Sequence, residues 1–557
     1  HLPHARAATE LQFPAWNALY QVRDFVRDVQ ELEANCDGRK QTLTRIDLQT
    51  WRSDERDCDV LEVRYRVYCN EDDVWSCVLD GHHAFLNFAL LCFYLPQERG
   101  RPMRVKFLLP EGWKVGTLLK DDVHPNEFTA ANYDVLTDSP AEAGEFQDYS
   151  YVQGDTIYRV IVDAPGVDYS ADRLLSSLKK ITATETALMR DTLSARYTFI
   201  LHFPAQGSGG MEHRDGTAVS YPAPDLTTNW LGLESVLAHE FFHAWNVKRF
   251  RPQSLEPIDY VHGNDTRDLW FCEGVTSTYQ ELALLRAGLI SGDMFYERLA
   301  AAIQQLQERP ARRFQSVEVS GQEAWLEKYP DYYRPERSIS YYNKGSLVGF
   351  LLDLGIRHAS ANAHGLDDVM RRLNEEFARR MRFFTEPDLL KTIAELAPDF
   401  DGLNQFFDDY VSGTRGLDYD TYLGYAGLRL IAGTQQTAAP GFLAVRGFEG
   451  PVRVESVEPG SGAETAGLAR GDILLEMNGH PLSRAPDDAI AEMKPGQEVR
   501  FRVRRGEQEF TLKFPLGSRP QTIYRIEEIK DAGELARQVR QGWLEGTTSP
   551  SAGAGKP

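Results

Sequence analysis

Apolar and polar residues alternate through the first third of the chain, most clearly in 61–68, 103–109 and 158–162. Side chains of a strand point to opposite faces in turn. A period of two, broken by Gly, Pro and Asp, therefore predicts a largely antiparallel β domain over residues 1–165. From about residue 170 the period lengthens to that of a helix. The pattern predicts helices over 172–190, 231–249, 274–286, 292–307, 345–358, 365–381 and 386–396, with a strand at 197–203. That describes a mixed domain over 166–310 and a helical part over 311–420. The pattern then returns to β, and 421–520 reads as a separate small domain. The remainder, 521–557, reads as an amphipathic helix (531–544) and a flexible tail rich in Gly, Ser and Pro (546–557).

Length and composition agree with several packed cores. A chain of 557 residues is too long for one, and 42% hydrophobic with 11% aromatic residues excludes a disordered polymer. The multidomain α+β reading stands. Against 61 Lys and Arg there are 82 Asp and Glu, a net charge of −21. Such a surface repels phosphate backbones and anionic lipid, so neither nucleic acid nor a membrane is expected as partner. No apolar run approaches the length of a membrane span. His1 stands where a Met is expected, and no basic segment with an apolar core follows, so the chain reads as processed or truncated. The six cysteines form no CxxC pair. Cys69 and Cys77 bracket an acidic turn, a spacing that suits a disulfide across a hairpin as well as two free thiols; compartment stays open between bacterial cytoplasm and an exported location.

The chemistry concentrates at His239, Glu240 and His243. Histidines four residues apart on a helix share one face, so both imidazoles reach a single metal ion, and the glutamate beside the first is placed to take a proton from a water the metal acidifies. Roughly one chain in fifty of this length would carry the pattern by accident, so its surroundings must decide. Zinc in a catalytic site takes three protein ligands and keeps one position open. Spacing offers Glu273 at a predicted helix start as the third, with Asp259, His262, Asp265 and Asp268 as rivals in the intervening loop. No Gly-x-Ser-x-Gly elbow occurs, which argues against a serine hydrolase.

Four separated segments carry a family resemblance: Gly209-Gly210-Met211-Glu212-His213, the run His239–Arg249, the run Trp270–Tyr279, and Ser340-Tyr341-Tyr342-Asn343-Lys344-Gly345. A fifth, Pro459 to Gly479, resembles bacterial PDZ domains. In this order the segments resemble the glycyl aminopeptidase family, gluzincin zinc metallopeptidases with a C-terminal PDZ domain. The resemblance covers about 180–520. It implies a thermolysin-like catalytic domain over 166–310, a helical part over 311–420 and a PDZ domain over 421–520. It also implies Zn²⁺ held by His239, His243 and Glu273, Glu240 as general base, and Tyr342 as donor to the oxyanion, with Tyr341 ranked second.

Glu212 matches the glutamate that binds a substrate's free α-amine, with Gly209, Gly210 and Met211 as neighbouring substrate contacts. A carboxylate fixed near the metal pairs with the ammonium and sets the cut at one residue from the N-terminus. Related enzymes often carry Asn where this chain has His213. Asn246 is a candidate for a supporting hydrogen bond near the metal. The family further implies a small first residue, Gly or Ala. Expected partners are therefore peptides with a free N-terminus and, at the PDZ domain, a peptide or C-terminus; the segment Tyr425-Ala426-Gly427-Leu428 loosely resembles a carboxylate-binding loop. Two other functions compete: an endopeptidase whose PDZ domain captures protein C-termini, and a non-catalytic PDZ binding protein.

Overall fold

The computed structural model describes residues 1–16, 25–54, 57–324, 326, 335–446, 451–482 and 485–549, so residues 550–557 of the expected tail lie outside it. The chain forms two compact units. One comprises 1–295, 309–427 and 529–557; the other comprises 296–308 and 428–528.

The first unit begins with small antiparallel sheets, as the alternation predicts. One orders its strands Leu2–Ala5, Cys58–Val67, Val29–Cys36 and Arg39–Gln41. Two disulfides close this region. Cys36–Cys58 joins neighbouring strands, and Cys69–Cys77 closes the acidic turn, the bonded one of the two arrangements its spacing allows.

The strands of 1–165 do not all pair among themselves. Strands Gln147–Gln153 and Thr156–Asp163 join Arg196–His202, Gly216–Ser220 and Gly209–His213 in one five-stranded sheet. Alternation shows that a segment is a strand but not which sheet it joins, and Thr156–Asp163 pairs in parallel with Arg196–His202 over seven residues. Gly209–His213 folds back antiparallel on Gly216–Ser220 and lies at the sheet's edge.

Helices cover this sheet. Ala171–Met189 starts where the Ser170 hydroxyl accepts from Arg173 N and ends at Arg190 in the left-handed conformation, φ 49°. Trp230–Phe242 starts where the Asn229 side chain accepts from Gly232 N, and is buried around nearly its whole circumference. It stops at His243 rather than near 249. The chain turns there, and Lys248 N donates to His243 O. Its inner face rests on an aromatic cluster in which the Phe241 ring lies 5.0 Å from Tyr197 and 5.9 Å from Phe199.

The helix predicted over 274–286 has a π-helical first turn, Trp270–Val275, continuing as Thr276–Arg286. Tyr341–Ala359 then crosses it closely. A Cβ on Gly274 would lie 2.5 Å from Gly345 Cα, and one on Gly345 would lie 2.6 Å from Trp270 O, so both must be glycine for these backbones to touch.

The second unit contains the sheet Phe442–Arg446, Val452–Val457, Ile473–Met477, Glu498–Arg505 and Gln508–Pro515, with short helices Gly462–Thr465 and Asp487–Ala491. Its core is built from Val452, Val454, Leu474, Phe501 and Phe514 among others. The strand Leu428–Ala439 pairs along its whole length with Gly517–Glu528. Tyr425 to Leu428 is not a carboxylate-binding loop. Tyr425 ends a helix, its ring stacked 3.9 Å from that of His358, and Leu428 pairs with Glu528. Among the described residues no helix is long and apolar enough to cross a membrane.

Candidate active site

The helix Trp230–Phe242 delivers His239 and His243 to one face, as their spacing requires, and the π-helical turn delivers Glu273 against them. Their ligand atoms form a nearly equilateral triangle. His239 Nε2 lies 3.1 Å from His243 Nε2, and Glu273 Oε2 lies 3.2 Å from the first and 3.3 Å from the second. All three residues are buried. Ligands about 2.0–2.1 Å from a tetrahedral ion stand about 3.3 Å apart, so the triangle fits a small tetrahedrally coordinated cation. The rivals fall elsewhere: Asp259 and His262 pair with each other at an exposed site, and Asp268 accepts from Ser254.

Neighbours orient the ligands. His243 Nδ1–H donates to the Asn246 carbonyl at 2.6 Å, which fixes the ring with Nε2 turned to the other two ligand atoms. The Asn246 side chain donates to Phe271 O at 2.9 Å and to Thr276 Oγ1 at 3.2 Å, tying the two ligand-bearing helices together. The Ser277 hydroxyl donates to Glu273 O at 2.9 Å and lies 3.5 Å from His239 Nδ1. Ser277 had no signal in the sequence beyond its place one turn after Glu273.

Two more carboxylates face the triangle. Atoms of Glu212, Glu240 and His243 lie within 4.8 Å of one another, all buried. Alternation along the edge strand turns Glu212 and Gly210 toward the helix. Gly210 is in fact pressed against Glu240, because a Cβ there would lie 2.1 Å from Oε1. Gly209 faces the other way, where a Cβ would lie 2.1 Å from the Trp75 ring. The two glycines thus accommodate protein neighbours. Met211 does not join the site either: its side chain lies in a core with Val74, Phe85, Ile200 and Ala218. His213 also turns away, and its Nδ1 lies 3.2 Å from Asp138 Oδ1.

The charges are unbalanced. Three buried carboxylates meet two imidazoles. Burial pulls His243 down, but Glu273, Glu212 and Glu240 outweigh it and hold it at about 10. Burial lowers His239 and is not offset by Glu273. Burial also raises Glu273, yet His243 and His239 hold it well below the usual carboxylate range. For Glu240 burial leads, Glu212 and Glu273 add to it, and the carboxyl is pushed well up. Its Oε2 is buried without a hydrogen-bond partner. A cation in the triangle would relieve this excess of negative charge, so both donor set and electrostatics fit a metal.

Tyr342, half-buried in the first turn of Tyr341–Ala359, has its ring 6.0 Å from that of His239. That helix begins where the Ser340 side chain accepts from Asn343 N. Tyr341 stacks on Tyr342 at 4.7 Å but is itself buried, so Tyr342 is the one turned to the site.

The chain matches the model of the M61 N-terminal domain over 1–145, that of the M61 glycyl aminopeptidase over 233–348, and a PDZ domain over 453–505. An aminopeptidase N family protein from Idiomarina loihiensis has the same fold, with TM-score 0.78 and 23% identity over 97% of this chain and 96% of that one. More distant are an M1 zinc metallopeptidase from Deinococcus radiodurans (TM-score 0.43, 14% identity, 74% of this chain and 87% of that one) and native yeast LTA4 hydrolase (TM-score 0.43, 14% identity, 76% and 63%). No curated protein sequence matches at comparable stringency. The protein is a metallo-aminopeptidase, a hydrolase acting on peptides. It is similar to the M61 glycyl aminopeptidase family in both its N-terminal and its peptidase segments, and a third segment matches a PDZ domain.

Proposed function

We propose that this chain is a zinc aminopeptidase that removes small N-terminal residues, Gly or Ala, from peptides. His239, His243 and Glu273 would hold the Zn²⁺. When bound, the ion supplies Lewis acidity, acidifying a water and polarising the scissile carbonyl. Glu240, buried beside the ligands, then takes the water's proton on its carboxylate and passes it to the departing amine. Tyr342 donates its phenolic proton as a hydrogen bond to the oxyanion. Glu212 pairs with the substrate's α-ammonium and so sets the register of the cut.

One observation carries the choice of an exopeptidase over an endopeptidase. Beside the ligands and the base the site holds a further buried carboxylate, Glu212, on an edge strand next to Glu240. The chemistry of bond cleavage leaves it without a task, whereas a free amine supplies its counter-charge. The preference for Gly or Ala rests on the family resemblance. The Cys36–Cys58 and Cys69–Cys77 bonds support an oxidising, exported location, where such an enzyme would act on external peptides.

The test is hydrolysis of Ala-p-nitroanilide against N-acetyl-Ala-p-nitroanilide by wild type and Glu212→Gln. Wild type should strongly prefer the free amine, and the variant should lose most of that preference. A wild type that favours the blocked substrate would overturn the exopeptidase reading.

A further inference from the structure

The strand that bears Glu212 is gripped at both ends by the N-terminal β domain. At its start, the Trp75 indole lies so close to Gly209 that a Cβ there would fall 2.1, 2.5 and 3.2 Å from three ring carbons. Trp75 belongs to the loop closed by Cys69–Cys77. Its conformation is fixed by Asp73, which accepts from Trp75 N at 2.7 Å and from Ser76 Oγ at 3.2 Å. Val74, fully buried in the same loop, joins Met211 in one core on the strand's far face. At the strand's end Asp138 makes three contacts. Oδ1 lies 3.2 Å from His213 Nδ1 and accepts from Lys248 Nζ at 2.9 Å, while Oδ2 accepts from Arg214 N at 3.0 Å. Lys248 follows the helix of His239 and His243, so Asp138 holds the strand and the segment after that helix at one point.

We propose that Trp75 and Asp138 are positioning residues for substrate recognition: together they fix the edge strand so that Glu212 meets the substrate's α-amine at the right distance from Glu240. The inference rests on Glu212 being the amine anchor. Physically, an edge strand has neighbours on one side only, and among the described residues Gly209–His213 pairs with Gly216–Ser220 alone. Two consecutive glycines at its start add backbone freedom. Without outside support its free edge would sway. Three residues of strand span about 10 Å, so a small tilt at Gly209 is carried to Glu212. Asp138 acts one residue beyond Glu212. A residue that merely covered apolar surface would affect stability alone, whereas a positioning residue acts through Glu212.

A double-mutant cycle separates the two. kcat/KM for Ala-p-nitroanilide is measured for Trp75→Ala, Glu212→Gln and the double variant, each loaded with zinc and checked for metal content. Trp75→Ala should lower kcat/KM by about 10- to 100-fold in the wild-type background and by less than about twofold when Glu212 is already Gln. Trp75→Phe, whose shorter ring withdraws the distal indole carbons that press on Gly209, should show an intermediate loss with the same lack of additivity. Asp138→Asn should show the same lack of additivity and serves as the second cycle if Trp75→Ala does not fold. Losses that multiply independently, or an unchanged Trp75→Ala enzyme, would overturn the clamp while leaving the anchor intact. An unaffected Glu212→Gln enzyme would instead overturn the anchor, and the clamp with it.

Discussion

Gly210 offers a sharp test because its role is purely steric. Adding one methyl group as Gly210→Ala places a Cβ 2.1 Å from Glu240 Oε1, 2.2 Å from Cδ and 2.5 Å from Cγ. An ordinary contact begins near about 3.4 Å, so the carboxylate must retreat by about 1.3 Å or the strand must lift by as much. Glu240 is the end of a flexible side chain and can move, so the fold should survive with little change in Tm. The proton transfer should not. Displacement of a catalytic group by about 1 Å costs on the order of 100-fold, or about 2.7 kcal/mol in the barrier. The expected outcome is a kcat for Ala-p-nitroanilide lowered about 100-fold with zinc content unchanged. A kcat within about threefold of wild type would refute the placement of Glu240 as the base.

Three further outcomes follow from the same geometry. Glu240→Gln should keep its metal, since Glu240 is not a ligand, yet lose roughly 100- to 10,000-fold in kcat, read by metal analysis beside steady-state kinetics. Glu273→Gln removes one corner of the ligand triangle; the purified variant should bind zinc far more weakly, and a chelator should no longer lower its Tm as it does for wild type. Glu185, buried in the helix Ala171–Met189 with neither carboxylate oxygen hydrogen-bonded, has its pKa pushed well up by burial. A raised folded-state pKa means the stability present below the unfolded value of 4.5 is lost as pH rises toward the folded value, at about 1.4 kcal/mol per pH unit. Glu185→Met should thus gain Tm over wild type as pH rises above 4.5, levelling off once the folded carboxyl ionises, in thermal melts from pH 4 to 8, and a gain that is flat throughout would count against it.

The parts of the site legible in the sequence are those whose geometry is local. His239 and His243 share a helix turn, so their spacing alone predicts their meeting, whereas Glu212 enters only through the resemblance of its segment to an amine-binding motif. Met211 stands in the same segment, but alternation sends its side chain to the opposite face, into a core. Gly274 and Gly345 appear in the sequence only as letters beside Glu273 and Lys344; their purpose is the backbone crossing that brings Tyr342 to His239. Trp75 and Asp138 left no trace. Their partners lie far along the chain, Asp138 being 75 residues from His213 and 110 from Lys248, and no periodicity reports contacts of that range. That the strands at 147–163 join the sheet of 196–220 is illegible in the sequence for a related reason: pairing is decided between segments, not within them.

The central claim is that a metal held by His239, His243 and Glu273 serves an aminopeptidase reaction. Its most direct measurement is the rate of p-nitroaniline release from Ala-p-nitroanilide by the purified protein, before chelation, after it, and after zinc is returned. The account predicts activity that disappears with the metal and returns with about one zinc ion per chain. Undiminished hydrolysis by protein shown to be metal-free would contradict it.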